Sequence, residues 1–204
     1  MTGKHYNKEN GRKNMRLQGY DYSRAGLYFL TVVVQNRLHL FGEIHRSGPA
    51  LLSKLFLNDA GIMVEKWYHE IENKFPDKRC HEMMVMPNHF HCIIENMESD
   101  AASRPNDERC PNAESYPEND NPKYGIHNKR YGATIGDVMD WFKTMTTNEY
   151  IRGVKINNWR RFNGKLWQRN YYDHIIRNAI EYQRISEYII NNPAKWNDDK
   201  FYCE

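Results

Sequence analysis

Leu27-Tyr28-Phe29-Leu30-Thr31-Val32-Val33-Val34-Gln35 is a run of β-branched, aliphatic and aromatic residues, the composition of a central strand. The apolar positions of residues 58–74 then change period. Ile62, Val64, Trp67, Tyr68 and Ile71 form one side of a helix, Asn58 is placed to cap its start and Pro76 to end it. Cys80 to Met86 and His89 to Asn96 read as two strands of a hairpin joined at Pro87-Asn88, both turn residues. A second helix is predicted from Thr134 to Tyr150, on the spacing of Val138, Trp141, Phe142, Met145 and Tyr150. A basic connection over residues 157–163 and a short aromatic segment, Leu166 to Tyr172, follow. The last helix is predicted from Asn178 to Asn191, stopping before Pro193. Strand, helix, hairpin and two further helices predict an α+β fold, a ferredoxin-like sandwich with a central antiparallel sheet. Spacing alone leaves the strand order open.

Two stretches fall outside this pattern. Residues 1–18 are polar and basic and read as a loose arm. Residues 97–130 are poor in large aliphatics and rich in Asn, Pro, Glu, Asp and Ser, and read as a flexible surface insertion. The remainder of the 204 residues is expected to form one domain. No apolar run reaches membrane-spanning length, and the first residues lack the apolar block of a signal peptide. The four cysteines are scattered without a CxxC spacing, which suits reduced thiols in a cytoplasm and disfavours a cysteine-based zinc site.

Charge sharpens the picture. The net charge is +3, but residues 97–122 carry −5, which leaves +8 on the rest of the chain. A basic body favours a polyanionic partner. Within it, His89 and His91 lie two apart in the second hairpin strand, so both point to one face, roughly 7 Å apart by the strand rise. Ile93 follows on that face, while Phe90, Cys92 and Ile94 line the other. Two imidazoles so placed can grip one metal ion. On the last helix Tyr188 and Asn192 are four apart, hence on one side. Asn192 offers a carbonyl oxygen to a hard cation. A phenol ionises near ~10 and is a poor nucleophile at neutral pH unless a cation stabilises its phenolate.

Four ordered motifs carry a family resemblance over most of the chain. They are Gly19-Tyr20-Asp21-Tyr22-Ser23 with Gly26 to Thr31, Gln35-Asn36-Arg37 and Phe41-Gly42; Val85-Met86-Pro87-Asn88-His89-Phe90-His91; Trp167 to Arg177; and Tyr188 to Trp196. The chain resembles the single-tyrosine (Y1) HUH transposases of the IS200/IS605 type, in particular the REP-associated tyrosine transposases. The resemblance implies a Mg²⁺- or Mn²⁺-dependent endonuclease and strand transferase. It would cut single-stranded DNA bearing palindromic, REP-like hairpins through a 5′-phosphotyrosine, in a cytoplasmic, nucleoid-associated setting, as a monomer or a homodimer. It implies Tyr188 as nucleophile, His89 and His91 as metal ligands and Asn192 as the third. The IS200/IS605 enzymes usually carry Gln at that last position, one methylene longer. Lys13, Arg16, Arg37, Arg160, Arg161, Arg169 and Arg177 are the candidate DNA contacts, and His174 a candidate support for the site.

Overall fold

The structure is a computed structural model, and it describes residues 20–47, 52–97 and 133–202. The expected basic arm, with Lys13 and Arg16, and the acidic segment from residue 98 onward lie outside the described residues. The elements run β1 (Gly26–Val33), β2 (Gly42–Ser47), β3 (Leu52–Leu57), α1 (Asp59–Lys74), β4 (Lys78–Met86), β5 (His89–Asn96), α2 (Ile135–Ile156), β6 (Tyr172–Ile176), α3 (Ala179–Ile190) and a 3₁₀ segment, Asn192–Asp198.

β2 and β3 pair only with each other. Without that ribbon the order is β-α-β-β-α-β followed by α3, and the main sheet is ordered β4-β5-β1-β6 with every neighbour antiparallel. This is the ferredoxin-like arrangement expected from the sequence. The β1 run goes to an inner position because it is apolar on both faces. One face, with Tyr28, Leu30, Val32, Phe90, Cys92 and Ile94, packs on α1 and α2 in the main core. The other carries Ile93, which packs with Ile185 and Ile189 of α3. Alternation along β5 thus separates its side chains as the sequence predicted.

Local chemistry sets the helix ends. The Asn58 side chain accepts from the Gly61 amide at the start of α1. Thr134 and Asp137 form a reciprocal capping box at the start of α2, and Asn178 caps α3. The helices are tied down by polar atoms as well as by packing. Tyr68 Oη donates to the Ile93 carbonyl at 2.6 Å, and Trp67 Nε1 to Glu149 at 2.7 Å.

Three elements differ from the sequence expectation. α2 continues six residues past Tyr150, to Ile156. Gly153 permits this, because the Trp159 ring lies where a Cβ would be, 2.3 Å from its ideal position. The ribbon β2–β3 was not anticipated, its strands being short and mixed in polarity. Nor was β6, whose alternating exposed and half-buried residues are those of an edge strand.

Candidate active site

The hairpin β4–β5 turns at Pro87-Asn88, so His89 and His91 open β5 on the face turned toward α3. Antiparallel register sets Thr31 of β1 opposite His91 and Val33 opposite His89. Both imidazoles are buried, at 0% and 1% exposure. Each is oriented through Nδ1: His89 by Asn88 Oδ1 at 2.8 Å, His91 by Thr31 Oγ1 at 2.8 Å.

The Asn88 amide has only one workable orientation. Its Nδ2 donates to the carbonyls of Phe201 at 2.9 Å and Arg37 at 3.3 Å, so Oδ1 must face His89. The carbonyl oxygen can only accept, so His89 Nδ1 carries the proton and Nε2 presents a lone pair. His89 Nε2 lies 3.0 Å from His91 Nε2. Burial holds both imidazoles neutral: His89 is pushed down to about 3 by burial and then by Lys200. His91 is held well below the usual histidine range by burial and then by His89, against the pull of Asp199.

Three side chains from the C-terminal third close on this pair. Tyr188 Oη lies 3.4 Å from His91 Nε2 and donates to Asp199 Oδ2 at 3.4 Å. Asn192 Nδ2 donates to the same carboxylate oxygen at 3.0 Å. His89, His91 and Asp199 offer ligand atoms all within 4.8 Å of one another. Asn192 is 2% exposed, and its Oδ1 is buried with no hydrogen-bond partner. Phe29 stacks on His91 and meets Tyr188 edge-on, while Trp196 stacks on His89. Burial, followed by the Asp199 charge, raises the Tyr188 phenol to about 12.

The donor set fits a divalent cation. Two buried neutral imidazoles converge on one point, a carboxylate stands beside them, and an amide oxygen is left without a partner. An uncompensated buried carbonyl costs about 1–3 kcal/mol, so the arrangement is one that a cation would relieve.

The structure therefore gathers His89, His91, Tyr188 and Asn192 at one centre and adds Asp199. No sequence signal marks Asp199: Asn197-Asp198-Asp199-Lys200 has the composition of a polar turn beyond a proline. Arg37 lies nearby, its guanidinium 5.9 Å from the Phe201 ring centroid. Arg160, Arg161, Arg169 and Arg177 are exposed. His174, the cross-strand partner of Phe29, bonds Glu181 at 2.7 Å and thereby braces the first turn of α3. Among the described residues no helix is long and apolar enough to cross a membrane.

The four-stranded antiparallel sheet with helices packed on it is a fold shared with known tyrosine transposases. A solved structure described as a REP-associated tyrosine transposase bound to a REP hairpin shares the fold. Its TM-score is 0.50 at 18% identity, covering 91% of this chain and 77% of that one. A Haemophilus influenzae protein provisionally named a REP-associated tyrosine transposase is 22% identical over 175 residues, 86% of this chain and 74% of its own. An uncharacterized protein of the same organism is 34% identical over 207 residues and is matched along the whole of both chains. The chain belongs to one family with that Haemophilus protein, and the resemblance to the REP-associated tyrosine transposases is borne out. No family model matches the chain.

Proposed function

We propose that this transposase nicks and rejoins single-stranded DNA beside hairpins through a transient 5′-phosphotyrosine on Tyr188. The observation that carries the reading is the convergence of Tyr188 Oη on His91 Nε2 at 3.4 Å, across 97 residues of sequence. Tyr188 Oη attacks the scissile phosphorus, the bond from phosphorus to the 3′ oxygen breaks, and a free 3′-hydroxyl leaves. The phenolic proton has an acceptor in Asp199 Oδ2, already bonded to it. Rejoining runs the step backward from the phosphotyrosine ester, so no nucleotide cofactor is needed.

His89, His91, Asp199 and Asn192 Oδ1 would hold the divalent cation, Mg²⁺ or Mn²⁺. When bound, it supplies charge neutralisation for the phosphate oxygens and for the Tyr188 phenolate, which burial and the Asp199 charge disfavour. Asn88 and Thr31 keep both Nε2 atoms aimed at it. Phe201 and Asp199 cover the imidazoles, so a DNA strand reaches them where residues 199–202 give way. Arg160, Arg161, Arg169 and Arg177, with Arg37 nearer the centre, form the basic surface for the phosphate backbone.

The test is a covalent protein–DNA adduct on a denaturing gel, with a hairpin oligonucleotide and Mn²⁺ or Mg²⁺. Tyr188→Phe is expected to abolish it, and His89→Ala and His91→Ala to do the same. An adduct that persists in Tyr188→Phe refutes the nucleophile. Cleavage without any adduct would instead favour a water-using nuclease, and tight hairpin binding without cleavage a non-catalytic DNA-binding protein.

A further inference from the structure

A second cluster of titratable side chains joins β4, β5 and α3. It starts from an irregularity in the sheet. Cys80 stands opposite Ile94 and Met83 opposite Cys92, so His81 and Glu82 together face the single residue Ile93. A bulge of this kind re-aims side chains. Here two neighbours on one strand both reach Tyr182 of α3. Tyr182 Oη donates to Glu82, 2.8 and 3.1 Å from its two carboxylate oxygens, and lies 3.2 Å from His81 Nδ1. His81 Nε2 lies 2.9 Å from Glu95 Oε2 on β5.

The proton count follows from these partners. As carboxylates, Glu82 and Glu95 can only accept. The Tyr182 proton is therefore committed to Glu82, and burial followed by the Glu82 bond raises that phenol, which keeps the proton in place. Its oxygen accepts from His81 Nδ1, while His81 Nε2 donates to Glu95. Both ring nitrogens carry protons, and His81 is a cation between two carboxylates. The charged and titratable groups around it are Glu95 on β5, Glu82 and Arg79 on β4, Tyr182 on α3, and Glu72 on α1, which accepts from the Cys80 amide. A neutral His81 has one N–H and must give up either Tyr182 or Glu95.

The cluster bears on the candidate active site because α3 rests on the sheet through a narrow apolar seam. Ile185 and Ile189 pack there on Ile93 and Ile176. Tyr182 precedes Tyr188 by six residues. That is about 9 Å along the axis, so a tilt of about 6° at the first turn displaces Tyr188 by about 1 Å. Tyr188 Oη lies 3.4 Å from His91 Nε2. Misplacing a reacting group by about 1 Å can lower a rate about 100-fold. On the far side of α3, His174 bonds Glu181. A single N–H sustains that bond, so a neutral His174 keeps it.

Resting on the reading of Tyr188 as nucleophile, we propose that His81 and Glu82 are positioning residues. Through the Tyr182 hydroxyl they fix the tilt of α3 and hold Tyr188 Oη at the histidine pair. Neither touches the phosphate, and neither contributes to hairpin binding.

The test compares the full wild-type chain with Tyr182→Phe, which removes the shared hydroxyl and little else. Both are given saturating hairpin oligonucleotide and Mn²⁺ at pH 6. The first-order rate of adduct formation is expected to fall at least about tenfold in Tyr182→Phe, while the dissociation constant for the hairpin stays within about twofold. Histidines lose their charge between about pH 5 and 8, so the wild-type advantage shrinks as pH rises from 6 to 8. Equal rates at pH 6, an advantage independent of pH, or a matching loss of hairpin affinity overturns the proposal. A second measurement needs neither activity nor a variant. Hydrogen exchange of the wild-type α3 amides, corrected for its intrinsic pH dependence, is expected to lose at least about threefold in protection from pH 6 to pH 8, with α1 unchanged. Steady α3 protection overturns the positioning account. If the wild type forms no adduct at any pH, the nucleophile reading fails, and the exchange measurement still decides whether His81 holds the helix.

Discussion

Asn88 is expected to matter more than its place in a turn suggests. Its side chain is fully buried; it accepts from His89 Nδ1 and donates to the carbonyls of Phe201 and Arg37. Asn88→Ala removes both halves of the amide. The backbone accepts alanine, because Asn88 is not among the described residues with positive φ. Two carbonyls and one imidazole N–H lose a partner in a buried setting. Each costs about 1–3 kcal/mol. Water entering the vacated space recovers part of this, so the low end applies and the sum is about 3 kcal/mol. For a chain of this size that corresponds to a fall in melting temperature of roughly 6–12 °C.

A second consequence is specific to the site. Without Asn88 the proton of His89 is free to move to Nε2, which removes the lone pair facing His91. Loss of such an orienting partner typically lowers metal affinity about 10–100-fold. Circular dichroism melts in chelator measure the first effect, and Mn²⁺ titration at a temperature where both proteins are folded measures the second. Asn88→Asp separates them, since it keeps an acceptor for His89 and loses the donors to Phe201 and Arg37. A melting temperature within about 2 °C of wild type for Asn88→Ala would refute the bonding account. A weakened Mn²⁺ affinity in Asn88→Ala that Asn88→Asp fails to restore would refute the tautomer account.

Three further outcomes are expected. Gly153→Ala drives a methyl into the Trp159 ring, which lies 2.3 Å from the ideal Cβ, and should cost about 1–3 kcal/mol by chemical denaturation; an unchanged midpoint would show that the ring moves freely. Burial raises the phenols of Tyr150 and Tyr188 to about 12 each, so the folded state favours their protonated form; that stabilisation is complete below pH ~10, is lost as pH rises toward about 12, and should appear as alkaline unfolding in that window, with a flat stability profile there as the contrary result. Burial also pushes the Cys80 thiol up to about 12 and the fully buried Cys92 well above its ordinary range, so neither should react with a disulfide reagent at pH 8 until the protein unfolds; peptide mapping of rapid labelling at either position would contradict this.

Much of this was legible in the chain because it is local. Alternation along residues 89–94 separates the histidine face from the core face; the four-residue spacing of Tyr188 and Asn192 brings both to Asp199, although α3 ends at Ile190 and Asn192 opens the 3₁₀ segment beyond it. The four α1, β4, β5 and α3 boundaries follow caps and prolines that act within a few residues. What was not legible depends on register and on tertiary closure. Thr31 reaches His91 only because β1 pairs with β5 in one particular register, and nothing in Leu30-Thr31-Val32 marks it as an orienting residue. Edge strand β6 has no apolar run to announce it, and the end of α2 depends on a ring arriving from six residues further along the chain.

Asp199 shows the same limit at the centre of the site. Its carboxylate is aimed by a turn of its own making, in which Oδ1 accepts from the Phe201 amide at 2.6 Å while Oδ2 receives Asn192 and Tyr188. Asn192 therefore has two functions that its position in the helix could not distinguish. Its amide nitrogen fixes the carboxylate, and its orphaned oxygen remains available to a cation. Asn192 reaches Asp199 from the first residue of the 3₁₀ segment, and the carboxylate lies within ligand distance of the two histidines. In this chain the amide and the carboxylate act as a hydrogen-bonded pair, and substituting either one changes the orientation of the other.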